Sequence, residues 1–275
     1  MKNMKKLIGL LFVIVSFISC EKEKTEIVKD SKNAIDSINN SSLILKSTFS
    51  QEFLFGDFDG NGTIDIANRN GNYIQIDLNS DGSYNIFFNF GNGTSEDQYI
   101  VGNWNGIGGD NIGVKRGNKY YLDTNFDGTA EIQETFGNVS DVALVGDWNG
   151  DGKDNIGLKR GNTYYFDTNF DGNAEFSQTW GMASDHAIAG DWNKSLIDHI
   201  ALKRGNTFYF NYNFDNIQDK TAIYGETYDG AYSCLNTIIL TRDVPYGVNI
   251  WQKLAIFDYN FDFIEDKSVF LKFVY

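Results

Sequence analysis

The sequence predicts an all-β protein, a β-propeller of about five four-stranded blades. Two kinds of Asp/Asn-rich loop alternate along the chain, the second twenty residues after the first, and the pair recurs about every 44 residues. Short apolar–polar alternations lie between the loops, separated by Gly/Asn/Asp turns. Long helical periods are absent, and the chain has a single proline, Pro245.

Residues 1–19 read as an export signal outside the fold. Lys2, Lys5 and Lys6 form a basic start, and the apolar run from Leu7 to Phe17 is short for a membrane span. It ends in Phe17-Ile18-Ser19-Cys20, which resembles the lipobox of bacterial lipoproteins. That resemblance implies cleavage before Cys20, a lipid on its sulfur and a membrane as partner. The other reading is an ordinary signal peptide with an incidental cysteine. Residues 20–42 then form a charged, polar tether with at most one short helix. The remaining cysteine, Cys234, sits in an apolar stretch and reads as a buried small hydrophobe.

Residues 43–275 hold the propeller. Leu43–Thr48 is a spare strand that could close the ring on the last blade. The third repeat shows the unit: strand Val142–Asp147, loop Asp147–Asp154, strand Asn155–Arg160, turn Gly161-Asn162, strand Thr163–Phe166, loop Asp167–Glu175, strand Phe176–Trp180. The same reading gives blades at 52–93, 98–137, 142–181, 186–224 and 230–275. The fifth has lost its first loop and carries an irregular insertion around Asp243–Val248. A closed ring leaves only short, protected edges, which favours it over an open array.

The loops offer hard oxygens in the pattern that calcium requires: side chains at positions 1, 3 and 5, glycine at 6, a carbonyl at 7 and an acid at 9. In the first loop of blade one these are Asp57, Asp59, Asn61, the Thr63 carbonyl and Asp65. In blade three they are Asp147, Asn149, Asp151, the Lys153 carbonyl and Asn155, with Asp154 as an alternative. The second loops supply Asp123, Asn125, Asp127 and Glu131, then Asp167, Asn169, Asp171 and Glu175. Weaker sets are Asp77, Asn79, Asp81 and Asn85, which ends in an amide, and Asp258, Asn260, Asp262 and Asp266, which has Phe263 in place of the glycine. The first loops of blades two and four are poor, with Ile107 or Ser195 and His199 at ligand positions. Without metal, such segments are ordinary turns that hydrogen-bond their own backbone.

The string Val145-Gly-Asp-Trp-Asn-Gly-Asp-Gly-Lys-Asp-Asn-Ile-Gly157, with Gly56-Asp-Phe-Asp-Gly-Asn-Gly-Thr-Ile-Asp-Ile66, resembles the FG-GAP/VCBS repeats. These are the blades of integrin-α-like propellers and of many bacterial surface proteins. The resemblance implies calcium in the loops and a surface or exported setting, and no single activity.

Charge narrows the partners. Removing residues 1–19, with three lysines and no acid, takes the formal charge from −14 to −17. That speaks against nucleic acid and suits a calcium protein. Lys115-Arg116, Lys159-Arg160 and Lys203-Arg204 recur on the face opposite the loops, as do Asp97, Asp141 and Asp185; they read as ion pairs that cap turns between blades. Trp104, Trp148 and Trp192 share one repeat position and read as packing, while Trp251 lies in the insertion and is the candidate for an exposed binding aromatic. No nucleophile–base–acid arrangement is visible, and the acids are locked to the repeat, so no catalytic residue is assigned. The expectation is a non-enzymatic, lipid-anchored, calcium-stabilised binding or scaffold module of a bacterial cell envelope, with an unknown protein or glycan partner. A carbohydrate-active enzyme or glycan-binding subunit and a purely structural envelope protein are the alternatives.

Overall fold

A computed structural model describes residues 51–247, 250–258, 265 and 267–271. The signal, Cys20, the tether, Leu43–Thr48, Asn260, Asp262 and Asp266 lie outside the described residues. Within them, twenty strands form five antiparallel sheets of four. Blade one holds β1 (Gln51–Gly56), β2 (Asp65–Asn70), β3 (Tyr73–Asp77) and β4 (Ile86–Asn89). Blade two holds β5 (Asp97–Gly102), β6 (Asn111–Arg116), β7 (Lys119–Leu122) and β8 (Ile132–Thr135). Blade three holds β9 (Val142–Gly146), β10 (Asn155–Arg160), β11 (Thr163–Asp167) and β12 (Phe176–Thr179). Blade four holds β13 (His186–Gly190), β14 (His199–Arg204), β15 (Thr207–Phe210) and β16 (Lys220–Ile223). Blade five holds β17 (Gly230–Cys234), β18 (Thr237–Gly247), β19 (Ile250–Asp258) and β20 (Lys267–Leu271).

Strand order within each sheet follows the chain, and the first strands β1, β5, β9, β13 and β17 each touch the next, with β17 returning to β1. The propeller is therefore closed, and each blade draws all four strands from consecutive sequence. The insertion expected in blade five is strand-paired and keeps one irregularity, between Pro245 and Gly247. It lengthens β18 and β19 into one hairpin, with Pro245 opposite Trp251 and a register shift beside it.

The core lies between blades. Each of the five apolar clusters draws on two neighbouring sheets; one joins Trp104, Tyr120 and Leu122 to Ile156 and Leu158, and another joins Phe53 and Phe55 to Ile239 and Leu271. Trp104, Trp148 and Trp192 are 1–7% exposed, the packing role their shared register predicts. Cys234 is buried in the seam between blades five and one.

A second device crosses three seams. The fourth residue of the second loop is Phe126, Phe170 or Phe214, each held at positive φ (62°, 57° and 58°). That conformation is unusual for a bulky side chain. It sends each ring into the preceding blade. Phe126 lies 6.2 Å from Phe58 and 5.5 Å from Phe88, and Phe214 lies 5.3 Å from Phe166 and 5.1 Å from Phe176. Phe170 packs with the Trp104 cluster.

The face opposite the loops carries the repeated ion pairs, and they act within a blade. Asp97 faces Arg116 across β5–β6; Arg160 grips Asp141, and Arg204 grips Asp185, each by two hydrogen bonds of 2.6–2.9 Å. Each arginine also lies over a tyrosine, as Arg160 does over Tyr165 at 4.9 Å. The preceding lysine caps carbonyls instead: Lys203 Nζ donates to Gly205, Glu226 and Thr227. Gly137 (φ 73°) is required in this corner, because a Cβ there would lie 2.2 Å from Leu158 and 2.8 Å from Asp141. The Asp141 side chain is 1% exposed and is held below the usual carboxylate range by Arg160. Asp141→Asn is expected to lower unfolding stability by about 2–3 kcal/mol, since it weakens charge-assisted bonds to a buried carboxylate. Urea denaturation checks this, and a change within 0.5 kcal/mol, the usual range at featureless surface sites, would contradict the clamp.

Candidate metal centre

Antiparallel order places the β1–β2 and β3–β4 type loops at one end of every blade, so the acidic loops share one face. In blade one, Asp57, Asp59 and Asp65 each bring a carboxylate oxygen within 4.8 Å of the others. Local hydrogen bonds shape this loop. Asp57 accepts from the N–H groups of Asn61 and Gly62, Asp59 accepts from Asn61, and Asn61 Oδ1 accepts from Thr63 N–H and its hydroxyl. Gly60 and Gly62 supply the positive φ that the curl requires.

Asp65 is the exceptional member. It is fully buried; its Oδ2 accepts from Phe58 N–H at 2.8 Å, and its Oδ1 has no partner. Burial first, and then the charges of Asp59 and Asp57, push its carboxyl up to about 7. Three carboxylates with a buried, unpartnered oxygen and hard-oxygen donors throughout fit a calcium ion. Asn61 and the Thr63 carbonyl complete the candidate set.

The other loops divide. Asp167, Asp171 and Glu175 form a second group within 4.8 Å. There the Asn169 amide donates to both Asp171 and Glu175, and Thr168 N–H donates to Glu175. In blade two, Asn125 bonds Glu131 in the same way, but Asp123, Asp127 and Glu131 do not form such a group. In blade three's first loop, Asp147 binds the N–H groups of Gly150, Asp151 and Gly152; Asn149 donates to Asp151, which accepts from Lys153 N–H; and the buried Asn155 Oδ1 is unpartnered. Asp77 curls its loop through Asp81 and Gly82 N–H, and Asn85 caps Leu78. In blade four, His199 stands at the ninth position with an unpartnered Nδ1.

Asp154 belongs to a different device. Its Oδ2 accepts from Asn103 N–H of the preceding blade, and its own N–H donates to the Asn103 carbonyl. Asp110 makes the same two bonds with Asp57, and Asp198 with Asp147; Asn236 accepts from Asp191 N–H. These residues latch each first loop to the one before it. Asp110 and Asp198 were absent from the sequence-derived site, although their register with Asp154 is visible in the chain. Burial, then neighbouring carboxylates, pushes Asp110 and Asp198 up to about 7; burial and Asp147 push Asp154 up to about 6.

No family model and no curated protein matches the chain. Among solved structures, similarity is found to the Neurospora crassa Pan2 WD40 domain, with 10% identity, a TM-score of 0.44, and coverage of 83% of this chain and 68% of that one. It is also found to the V. cholerae biofilm matrix protein Bap1, with 15% identity and a TM-score of 0.33, over 83% of this chain and 41% of Bap1.

The raised carboxyls set a pH dependence. Each is protonated more readily in the folded chain than in the unfolded one, so stability falls as pH rises from about 4 through about 7. Asp141 and Asp185 are depressed and act only at lower pH, and the buried His199, lowered from 6.5, opposes the trend with a single group. The ion-free protein is expected to melt at lower temperature at pH 8 than at pH 5, as read by calorimetry in EDTA. A higher melting temperature at pH 8 would refute this.

Proposed function

We propose that this chain is a lipid-anchored propeller of the FG-GAP/VCBS kind, holding calcium in its loops and serving as a non-enzymatic binding or scaffold module of a bacterial cell envelope. The observation that carries the calcium reading is the Asp57–Asp59–Asp65 cluster with the buried, unpartnered Asp65 Oδ1. Asp57 would anchor both the ion and the curl of the loop, Asp59 and Asn61 would close one side, and Asp65 would close the other from the start of β2. The Asp167–Asp171–Glu175 loop is the second candidate. A bound ion supplies the positive charge these crowded carboxylates lack. It stiffens a loop that meets the latch of the next blade at Asp110, so its effect extends to the seam.

The binding reading is supported by repeat-locked acids and by the absence, among the described residues, of a nucleophile–base–acid set; the anchor reading is supported by the residues before Cys20. A calcium concentration one hundred times Kd stabilises the fold by about 2.7 kcal/mol. For a propeller of this size that is a rise of roughly 5–10 °C in Tm. EDTA should remove the rise and calcium restore it, and Asp65→Asn should remove most of the response. A Tm indifferent to both reagents would defeat the calcium reading. Cys20→Ala should move the protein from the membrane fraction to the soluble one when expressed in a bacterium; retention in the membrane would defeat the anchor.

A further inference from the structure

The seam between blades five and one departs from the rest of the ring. In three other seams the following blade sends Phe126, Phe170 or Phe214 into the preceding one. Blade one has Ser80 at that position, with the same left-handed backbone (φ 53°). Its hydroxyl turns back to the Ile64 carbonyl of its own blade. Blades one to four also carry an aromatic at the second position of the first loop: Phe58, Trp104, Trp148 and Trp192. Blade five cuts this loop to the two-residue turn Leu235-Asn236, both at positive φ, and has no such residue. Two aromatic side chains that pack the other seams are therefore missing from one place.

A cavity of about 520 Å³ lies there. Its wall is formed by Thr63, Asn79, Ser80, Leu235, Thr237 and Lys267, with Gly62 and the apolar Ile64 beside them. The volume is that of a small-molecule site. Its chemistry has also changed from that of the other seams. At the two lapsed positions no ring enters, three hydroxyls, an amide and an amine line the opening, and Ile64 and Leu235, the latter 47% exposed, supply aliphatic edges. The Ser80 and Thr63 hydroxyls already donate to the Ile64 carbonyl and Asn61 Oδ1 and keep acceptor lone pairs, which a flat apolar ring cannot engage. A saturated ring edged with hydroxyls would satisfy them while laying a C–H face on Leu235. The Lys267 ammonium carries three donors, so a contact it already makes leaves room for a carboxylate.

We propose that this seam is a binding site for one acidic sugar residue, a pyranose bearing a carboxylate. The proposal deepens the binding-module reading, on which it rests; Thr63 offers its hydroxyl here and its carbonyl to the blade-one calcium loop, and Asn79 belongs to the weaker Asp77 loop. The carboxylate meets Lys267, and the ring hydroxyls meet Thr63, Asn79, Ser80 and Thr237. The residue could be free or the end of a polysaccharide; both present the same ring.

Ser80→Phe is the decisive variant, because it restores the plug used elsewhere at a backbone conformation that already accepts phenylalanine. Ligand-observed NMR titration of the full propeller in calcium-containing buffer, with D-glucuronate and D-glucose as probes, reads the site. Glucuronate should bind about five- to tenfold more tightly than glucose, the gain expected of one partly exposed charge-assisted bond. Lys267→Met, at an exposed position, should erase that preference and leave the fold intact. Ser80→Phe should abolish binding of both sugars with an unchanged or higher Tm. A glucuronate-capped oligosaccharide that competes with the monosaccharide would assign the polysaccharide source, and failure to compete would assign the free sugar. Absence of saturable glucuronate binding, equal affinity for both sugars, or binding that survives in a folded Ser80→Phe variant would each overturn the proposal. The Tm response to calcium, measured separately, decides the metal reading whichever way this experiment falls.

Discussion

Seam packing is the constraint on which this molecule depends. A four-stranded sheet has two faces and no interior, and here the fully buried side chains, among them Ile112, Tyr120, Ile156, Tyr164 and Phe208, lie where two sheets meet. A blade removed from the ring would expose both faces, so no blade is an independent folding unit. The inserted phenylalanines and the loop latches serve the same need from different directions. The rings fill space that two twisted sheets leave between them on the loop side. The Asp110, Asp154 and Asp198 latches satisfy backbone groups that the inner strands present to the next blade.

The two ends of the ring handle negative charge differently. On the turn-and-crossover end, Asp97, Asp141, Asp185 and Asp229 are nearly or fully buried, and each is paired with an arginine that stacks on a tyrosine. Those carboxylates are satisfied by their arginines. At the loop end, no arginine enters the Asp57–Asp65 or Asp167–Glu175 clusters, and backbone N–H groups supply most of the compensation. Backbone dipoles can shape a loop around a carboxylate, but they do not cancel the repulsion among three of them. The same sequence repeat therefore builds one end whose carboxylates are neutralised by arginines and one end where they face backbone N–H groups and each other.

Most of the ring was legible because its signals are periodic. The twenty-residue spacing of loops fixed the strand order within a blade, and the 44-residue period fixed the number of blades. The Gly-Asn turns read correctly as tight hairpins, although only the glycines, such as Gly161, use positive φ. The site was legible in its loop members and obscure in its supports. Asp154 lies beside the Asp147 loop in sequence, and only the pairing of adjacent blades shows that it faces Asn103. Blade five misled for a related reason. Its long β18–β19 hairpin reads as an insertion because its partner strand lies beyond the turn, and Pro245, which lacks an N–H for a regular ladder, sits beside the register shift.

Where a repeat is faithful, its residues answer to the ring; where it lapses, another demand can be heard. A phenylalanine lost from one of several equivalent positions removes packing, and shortening the opposing loop removes more, so the blade-five/blade-one seam gives up contacts that three other seams keep. Chance decay would leave a void lined by whatever aliphatic groups remained, or one collapsed by neighbouring side chains. The seam instead holds an open volume with hydroxyl, amide and amine groups on its wall, beside the loop with the strongest carboxylate cluster. Among the described residues, ring closure joins the first blade to the last, through β1 and β17. This seam keeps its inner packing through Phe53, Phe55 and Tyr232, so the lost rings leave the outer opening without dissolving the junction.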